Sequence, residues 1–491
     1  MYRYYLIFMT ILMVHFPRLE AQTFNDLLLE FDTLPVEERQ AKVDSFLLAT
    51  EFFPVTEDTL AHFIYSGTGQ DLAVPGDFNG WDPASAPMIN VDGTNFWYRT
   101  EPLHQESRLD YKFVYNGSTW ILDPRNPYTC LGGFGPNSEL RMPDYIPPPE
   151  VEYYPDIPHG SIEDTTFASV HLGNSRRIQV YLPPGYDQGD GHYAVVLMHD
   201  GSEYLSLANM DNVLDYLISE NRIDPVIAVF VPPVNRSPEY SGEDQDAFTQ
   251  FIIEEIMPWI DGKYRTRTAP SDRATMGSSN GGNISLWIGM NHPEVFGNVG
   301  AFSSYVEPDI QTFFENNTML DLRIHMNLGL YDHLSVIHTS VNDLVPVLDQ
   351  KGYDYLFATY PEGHSYGLWR AHLDDALEMF FPYSGNAVKQ RPSKSEGFHL
   401  NQNFPNPFNP ETTIRYNLMD QADVNLSIFN VQGNEIRAFS KSSQSAGSHT
   451  ILWDGRDNQD RPVSSGHYLC RMVAESRSNR FVSVLKMVVV H

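Results

Sequence analysis

The sequence predicts a central α/β domain with a mostly parallel sheet, flanked on each side by an all-β sandwich domain. Three observations predict this. Over 159–383, continuous apolar runs alternate with helical patterns, the signature of strands covered on both faces by crossover helices. Over 59–145 and again over 399–491, short alternating strands recur between turn residues. Two stretches that fit neither pattern, proline-rich 146–158 and polar 384–398, read as linkers.

A chain of 491 residues, 42% hydrophobic and 13% aromatic, has room for about three domain cores. Its 63 acidic against 32 basic residues give a formal charge of -31, spread along the chain. That balance excludes a nucleic-acid surface, which needs clustered lysine and arginine. Residues 1–21 read as a secretory signal peptide: a basic start at Arg3, an apolar run over 4–16 and a small residue, Ala21, at the end. The run is too short for a membrane span. The two cysteines, Cys130 and Cys470, fall in different domains, so an exported chain without a disulfide framework is expected. Residues 22–58 carry helical patterning (Phe24, Leu27, Phe31, then Val43, Phe46, Leu47) and form a helical lead-in, with Pro35 at the first turn of its second helix.

In 59–145, strand-like segments at 61–65, 71–74, 96–100 and 109–115 frame two motifs. One is Gly76-Asp77-Phe78-Asn79-Gly80-Trp81; the other runs from Tyr111 to Trp120 with Asp123-Pro124 behind it. Both resemble the early-set, Ig-like, glycogen-binding-like sandwich modules in front of glycogen- and starch-acting enzymes and some secreted esterases. Trp81, Trp97 and Trp120 are candidates for stacking on sugar rings. The plainer reading makes them core or turn anchors.

In the α/β region, strands are expected at 177–182, 193–198, 225–231, 273–276, 299–302, 323–328 and 355–360, with helices over 244–260 and 337–351. Gly277-Ser278-Ser279-Asn280-Gly281 lies where strand 273–276 turns into a helix. This is the Gly-x-Ser-x-Gly pattern of a nucleophile elbow, whose glycines let strand and helix approach closely around a strained serine. A serine hydroxyl is a poor nucleophile until a base removes its proton and a third group orients that base. Downstream, Asp332 follows one strand and His364 the next, which puts both at the carboxyl edge of a parallel sheet, where ligands bind. Ser279 as nucleophile, His364 as base and Asp332 as orienter follow the chain order of α/β-hydrolases. His333 and Glu362 are the competing base and acid.

Two backbone N–H groups must face the developing oxyanion. Asn280 supplies one, and Gly201 or Ser202, after strand 193–198, the other. His199 and Asp200 lack a second cluster at ligand spacing, so no metal and no cofactor is expected. Trp369, Arg236 (with Glu239 and Tyr240) and Tyr204 are candidate substrate-binding residues; helix packing and a surface ion pair are the plainer readings.

Residues 160–383 are similar to the esterase D-like α/β-hydrolase family, which includes enterochelin, feruloyl and acetylxylan esterases. The resemblance rests on Met198-His199-Asp200-Gly201, the run 251–260, Gly277 to Gly282, and Glu362-Gly363-His364-Ser365-Tyr366-Gly367-Leu368-Trp369-Arg370. It implies serine ester hydrolysis. Asn280 departs from many relatives, where a larger or more apolar residue stands, but leaves the backbone donor in place.

The end of the chain opens with Gln402-Asn403-Phe404-Pro405-Asn406-Pro407-Phe408-Asn409-Pro410 and contains Trp453-Asp454-Gly455, Ser465-Gly466-His467-Tyr468 and an apolar terminal strand. It resembles the type A sorting domain of the type IX secretion system. The resemblance implies that 399–491 engages that machinery, in a Gram-negative producer, with the protein secreted or on the cell surface. Without it, a carbohydrate-binding or adhesive sandwich would be expected. The combined expectation is a secreted ester hydrolase acting on feruloyl or acetyl esters of plant polysaccharide. A siderophore trilactone esterase is the alternative substrate reading, and a non-catalytic surface carbohydrate-binding protein the alternative class.

Overall fold

The computed structural model describes residues 23–386 except 70, and 399–490 except 405, 407, 419, 420, 431–434, 446 and 477–479. The expected signal peptide 1–21 and most of the expected linker 384–398 lie outside the described residues.

The lead-in is two helices, Phe24–Thr33 and Val36–Ala49. The first starts with a capping box: the Thr23 hydroxyl accepts from the Asp26 N–H, and the Thr23 N–H donates to the Asp26 carboxylate. Pro35 sits one position earlier than expected, as the cap of the second helix. The helices bury Phe24, Leu27, Phe31, Val43 and Leu47 against Phe53, Ile64 and Phe96, so they belong to the β-module that follows.

That module holds a four-stranded sheet (Val55–Glu57, Leu60–Ser66, Phe96–Pro102, Ile89–Asn90), a three-stranded one (Arg108–Tyr111, Gly135–Arg141, Thr129–Gly132) and the hairpin Phe113–Tyr115/Thr119–Ile121. Phe63, Leu72, Val74, Leu109, Tyr111, Phe113 and Leu140 fill the core between them. Residues 71–74, expected as a strand, run irregularly instead; Ala73 bridges Val114 and Pro87 without extending into a ladder.

Residues 146–158 are not a free spacer. Pro149–Val151 form a 3₁₀ turn, Val151 is buried in the core of the α/β domain, and its carbonyl accepts from the Asn209 and Asn212 side chains. A proline-rich segment with one apolar residue in reach of a core docks there, because its stiff backbone loses little entropy on ordering.

The α/β domain carries eight strands: β1 Ser161–Ala168, β2 Ser175–Leu182, β3 Ala194–His199, β4 Val226–Val231, β5 Arg273–Ser278, β6 Asn298–Phe302, β7 Arg323–Gly329 and β8 Asp354–Tyr360. Their order in the sheet is β1-β2-β4-β3-β5-β6-β7-β8. β1, β2 and β4 pair antiparallel; β4, β3 and β5 through β8 pair in parallel. β3, β4 and β5 are buried at every residue. Side chains of alternate residues enter two cores: Val196, Met198, Ala228 and Phe230 on one face, and Val195, Leu197, Ile227 and Val229 on the other. The expected helices occupy 245–263, including a π-turn at Phe251–Ile256, and Ser335–Lys351.

The C-terminal β-region forms a three-stranded sheet (His399–Phe404, Thr412–Leu418, Gly447–Trp453) and a four-stranded one (Glu435–Gln444, Ala422–Asn430, Gly466–Ser476, Arg480–Val489). Ile414, Leu426, Ile428, Trp453, Cys470 and Met472 lie in the shared core. Cys130 and Cys470 are both buried, free thiols.

Burial gives the fold an acid-sensitive element. His199 and His325 are fully buried on β3 and β7, and desolvation pushes both down to about 3. The unfolded chain takes up protons at these groups below about pH 6.5, while the folded chain does not. Their contribution to stability is therefore complete above that pH and is lost as the pH falls toward the folded values. Thermal melts should show Tm falling steadily from pH 6.5 to pH 4, with a shallower fall in His325→Leu; an unchanged slope in that variant would remove His325 as a cause.

Candidate active site

Ser279 stands between β5 and the helix Asn280–Asn291 with φ 55 and ψ -124. This backbone conformation is strained for a residue with a side chain. The neighbours hold it. The Ser279 N–H donates to the Phe302 carbonyl at 2.8 Å, and its own carbonyl accepts from Gly282 and Asn283 N–H at 3.1 and 3.2 Å. A Cβ on Gly277 would lie 2.6 Å from the carbonyl carbon and oxygen of Gly281, so strand and helix touch backbone to backbone.

Asp332 and His364 come from the turns after β7 and β8. Those turns are tied together: the Leu330 N–H donates to the Tyr360 carbonyl at 2.7 Å and the Tyr331 N–H to the Glu362 carbonyl at 2.9 Å. The Asp332 carboxylate is fully buried; Oδ1 accepts from the Leu334 N–H at 2.9 Å, and Oδ2 meets His364 Nδ1 at 2.6 Å. Acid and imidazole form an oriented pair, with the ring flanked edge-on by Trp369 at 5.1 Å and His333 at 6.4 Å. The competitors are placed elsewhere. Glu362 is buried against His372, 3.1 Å away, and His333 is exposed, with partial desolvation lowering its pKa.

Asp200, after β3, caps the helix Gly201–Ser206 from a left-handed φ of 55. Its carbonyl accepts from Glu203 and Tyr204, which leaves the Gly201 and Ser202 N–H groups without an intrahelical acceptor. Asn280 has the same standing at the start of its own helix. A Cβ on Gly201 would be 2.4 Å from the Phe230 and Val231 backbone, which ties this turn to the end of β4.

Arg236 does not pair with Glu239. It clamps Asp200 with two bonds of 2.8 Å and reaches the Ser278 carbonyl at 3.3 Å. Glu239 is buried against Arg176, and the Tyr240 hydroxyl accepts from the Asp200 N–H. Tyr204 is fully buried, with its ring edge against Tyr366 and its hydroxyl beside Ser278. Trp369 is likewise a core residue that packs the histidine. Trp97 packs on the module core. Trp81 and Trp120 stack with ring centres 6.4 Å apart, 27° from parallel, and Trp120 is exposed. The His199 ring bonds Thr275, and no cluster of three or more metal-ligating side chains occurs among the described residues.

One group was not singled out from the sequence: Arg108, fully buried in the β-module, donates to Ser365, next to His364. The period-two strand Arg108-Leu109-Asp110-Tyr111 puts two opposite charges on one face, the available signal for a buried pair.

The sheet order, the elbow and the acid–imidazole pair define the central domain as an α/β-hydrolase. Residues 169–380 match the model of the family described as "Putative esterase". Residues 409–478 match the FlgD Ig-like domain. The Bacillus subtilis protein YjcH is 25% identical over 236 residues, 45% of this chain and 97% of that protein. The endo-1,4-beta-xylanase/feruloyl esterase of Xylanibacter ruminicola is 27% identical over 183 residues, 34% of this chain but 25% of that protein. In fold, the chain is similar to the ferric enterobactin esterase of Salmonella typhimurium: TM-score 0.60 and 18% identity, covering 71% of this chain and all of that one, 100%.

The close contact at the elbow gives a direct test. Gly277→Ala forces a methyl group onto the Gly281 backbone, and denaturant unfolding should show a loss of about 1–3 kcal/mol or more. Wild-type stability would mean that the strand and helix are farther apart than described.

Proposed function

We propose that the protein is a serine carboxylic-ester hydrolase that works through an acyl-enzyme on Ser279. The carrying observation is the 2.6 Å Asp332–His364 pair at the sheet edge that also bears the elbow serine. With Nδ1 held by Asp332, His364 takes the Ser279 proton at Nε2 as the hydroxyl oxygen attacks the ester carbonyl. The Asn280 N–H, with that of Gly201 or Ser202, receives the oxyanion. The proton passes to the departing alkoxide, and His364 then activates the water that releases the acid.

For the substrate, we propose feruloyl or acetyl esters of plant polysaccharide. Similarity to a xylanase/feruloyl esterase supports this reading, and the stacked Trp81–Trp120 pair offers a flat apolar face to a sugar chain. A siderophore trilactone is the second reading, supported by the fold shared with an enterobactin esterase over 71% of this chain. We further propose that residues 1–21 and 399–491 direct export, the latter through type IX secretion; the motif at 402–410 supports this.

Ser279→Ala should lower turnover of p-nitrophenyl acetate by ~10⁴-fold; equal activity in both proteins would sink the mechanism. Methyl ferulate, acetylated xylan and a catecholate trilactone then divide the substrate readings by kcat/KM. Trp120→Ala should slow acetylated xylan but leave p-nitrophenyl acetate unchanged, and an equal loss on both would remove the sugar role. For export, a reporter fused to 399–491 should reach the medium or surface of a type IX-competent host and stay periplasmic in a secretion-deficient one; identical location in both hosts would overturn the assignment.

A further inference from the structure

We infer that Arg108 is a positioning residue for catalysis: the β-module, through Arg108 and Ser365, fixes the loop that presents His364. The inference rests on His364 being the base.

Arg108 is fully buried, and its guanidinium is shared between two domains. Within the module, Nε and Nη2 donate to Glu139 Oε2 at 3.0 and 2.8 Å, and Nη2 also donates to Asp110. These carboxylates neutralise the charge and lock the plane of the group. The remaining nitrogen, Nη1, leaves the module and donates to the Ser365 hydroxyl at 3.1 Å. Ser365 follows His364 in the chain, so the imidazole is one residue from a cation that cannot turn.

The loop is shaped to reach that cation. A Cβ on Gly367 would fall 1.9 Å from Arg108 Nη1, and one on Gly363 would fall 2.0 Å from the Asp77 carboxyl carbon. Neither glycine has a left-handed φ, so the missing side chains serve close approach rather than a turn. Arg108 and Glu362 also form a parallel backbone bridge, and Arg370 donates to Glu139 at 3.2 Å.

The acid is held from the same side. The Tyr331 hydroxyl accepts from the His104 N–H at 3.1 Å, its ring packs on the module core, and the next residue is Asp332. The module therefore grips the residues adjoining both members of the Asp332–His364 pair. A base must be placed to within a fraction of an ångström, and loops achieve that only with outside support.

Ser365→Ala removes the link and leaves Arg108 with both carboxylates. On p-nitrophenyl acetate, kcat should fall about tenfold with KM changed less than about twofold. Tm should stay within about 2 °C of wild type. Ser365→Thr restores the hydroxyl and should recover most of the loss. Gly367→Ala, which pushes a methyl group onto the guanidinium, should lower kcat by about a hundredfold. Gly262→Ala, whose added Cβ meets nothing within 4 Å, should change nothing. Wild-type kcat in Ser365→Ala overturns the inference. So does a loss of kcat that tracks Tm and is not rescued by threonine, since that is a structural role alone. His364→Ala in the same series separates the two layers: wild-type activity there refutes the base assignment itself, whatever Ser365 does.

Discussion

The structure depends on one close approach, the backbone contact between Gly277 and Gly281 around Ser279. A serine at φ 55 and ψ -124 costs on the order of 1–3 kcal/mol, and that cost persists because the surroundings over-determine the turn. β5 cannot retreat, since it lies between β3 and β6 and is buried at every residue. The helix cannot retreat, since a Cβ on Gly282 would already sit 2.7 Å from Ser304 and one on Gly289 2.3 Å from Val299. The hydroxyl is thus set at the sheet edge by packing rather than by a bond to its own oxygen. Every other group of the site has to be brought to that fixed point.

The parts brought there by the sheet were legible in the sequence, and those brought by side-chain chemistry were not. Ser279, Asp332 and His364 follow apolar runs, so their strand ends fix them at one edge. Chain order favoured Asp332 over Glu362, and the fold places the two differently: Asp332 meets His364, while Glu362 lies against His372. β1 escaped notice because Ser-Ile-Glu-Asp-Thr-Thr-Phe-Ala is an exposed edge strand without an apolar run. Arg236 was matched to Glu239, three residues on, because sequence shows near neighbours. Its partner Asp200 lies in another loop, 36 residues away. Residues 146–158 have a linker's composition, and one buried valine was enough to dock them.

Two of the buried arginines, Arg108 and Arg176, each lock a carboxylate and begin a chain of contacts that runs toward the site. Arg176 pairs with Glu239, with both side chains 1% exposed. Glu239 in turn accepts from the Val234 and Asn235 N–H groups, which shapes the loop after β4. From that loop Arg236 reaches Asp200, and the Asp200 carboxylate lies 3.0 Å from where a Cβ on Gly281 would be. One relay of ion pairs therefore runs from β2 to the turn that bears the Gly201 and Ser202 N–H groups. A second runs from the β-module through Arg108 to the histidine loop.

Buried ion pairs contribute little net stability, because desolvation of the two charges offsets their attraction. Apolar side chains of similar volume would hold these loops as firmly on average, but without fixing direction. A guanidinium bonded to a carboxylate at two points, as Arg236 is to Asp200, has one orientation. The β-module is then not an appendage to the hydrolase domain. Arg108 and Tyr331 make the interface between them the floor under the Asp332–His364 pair.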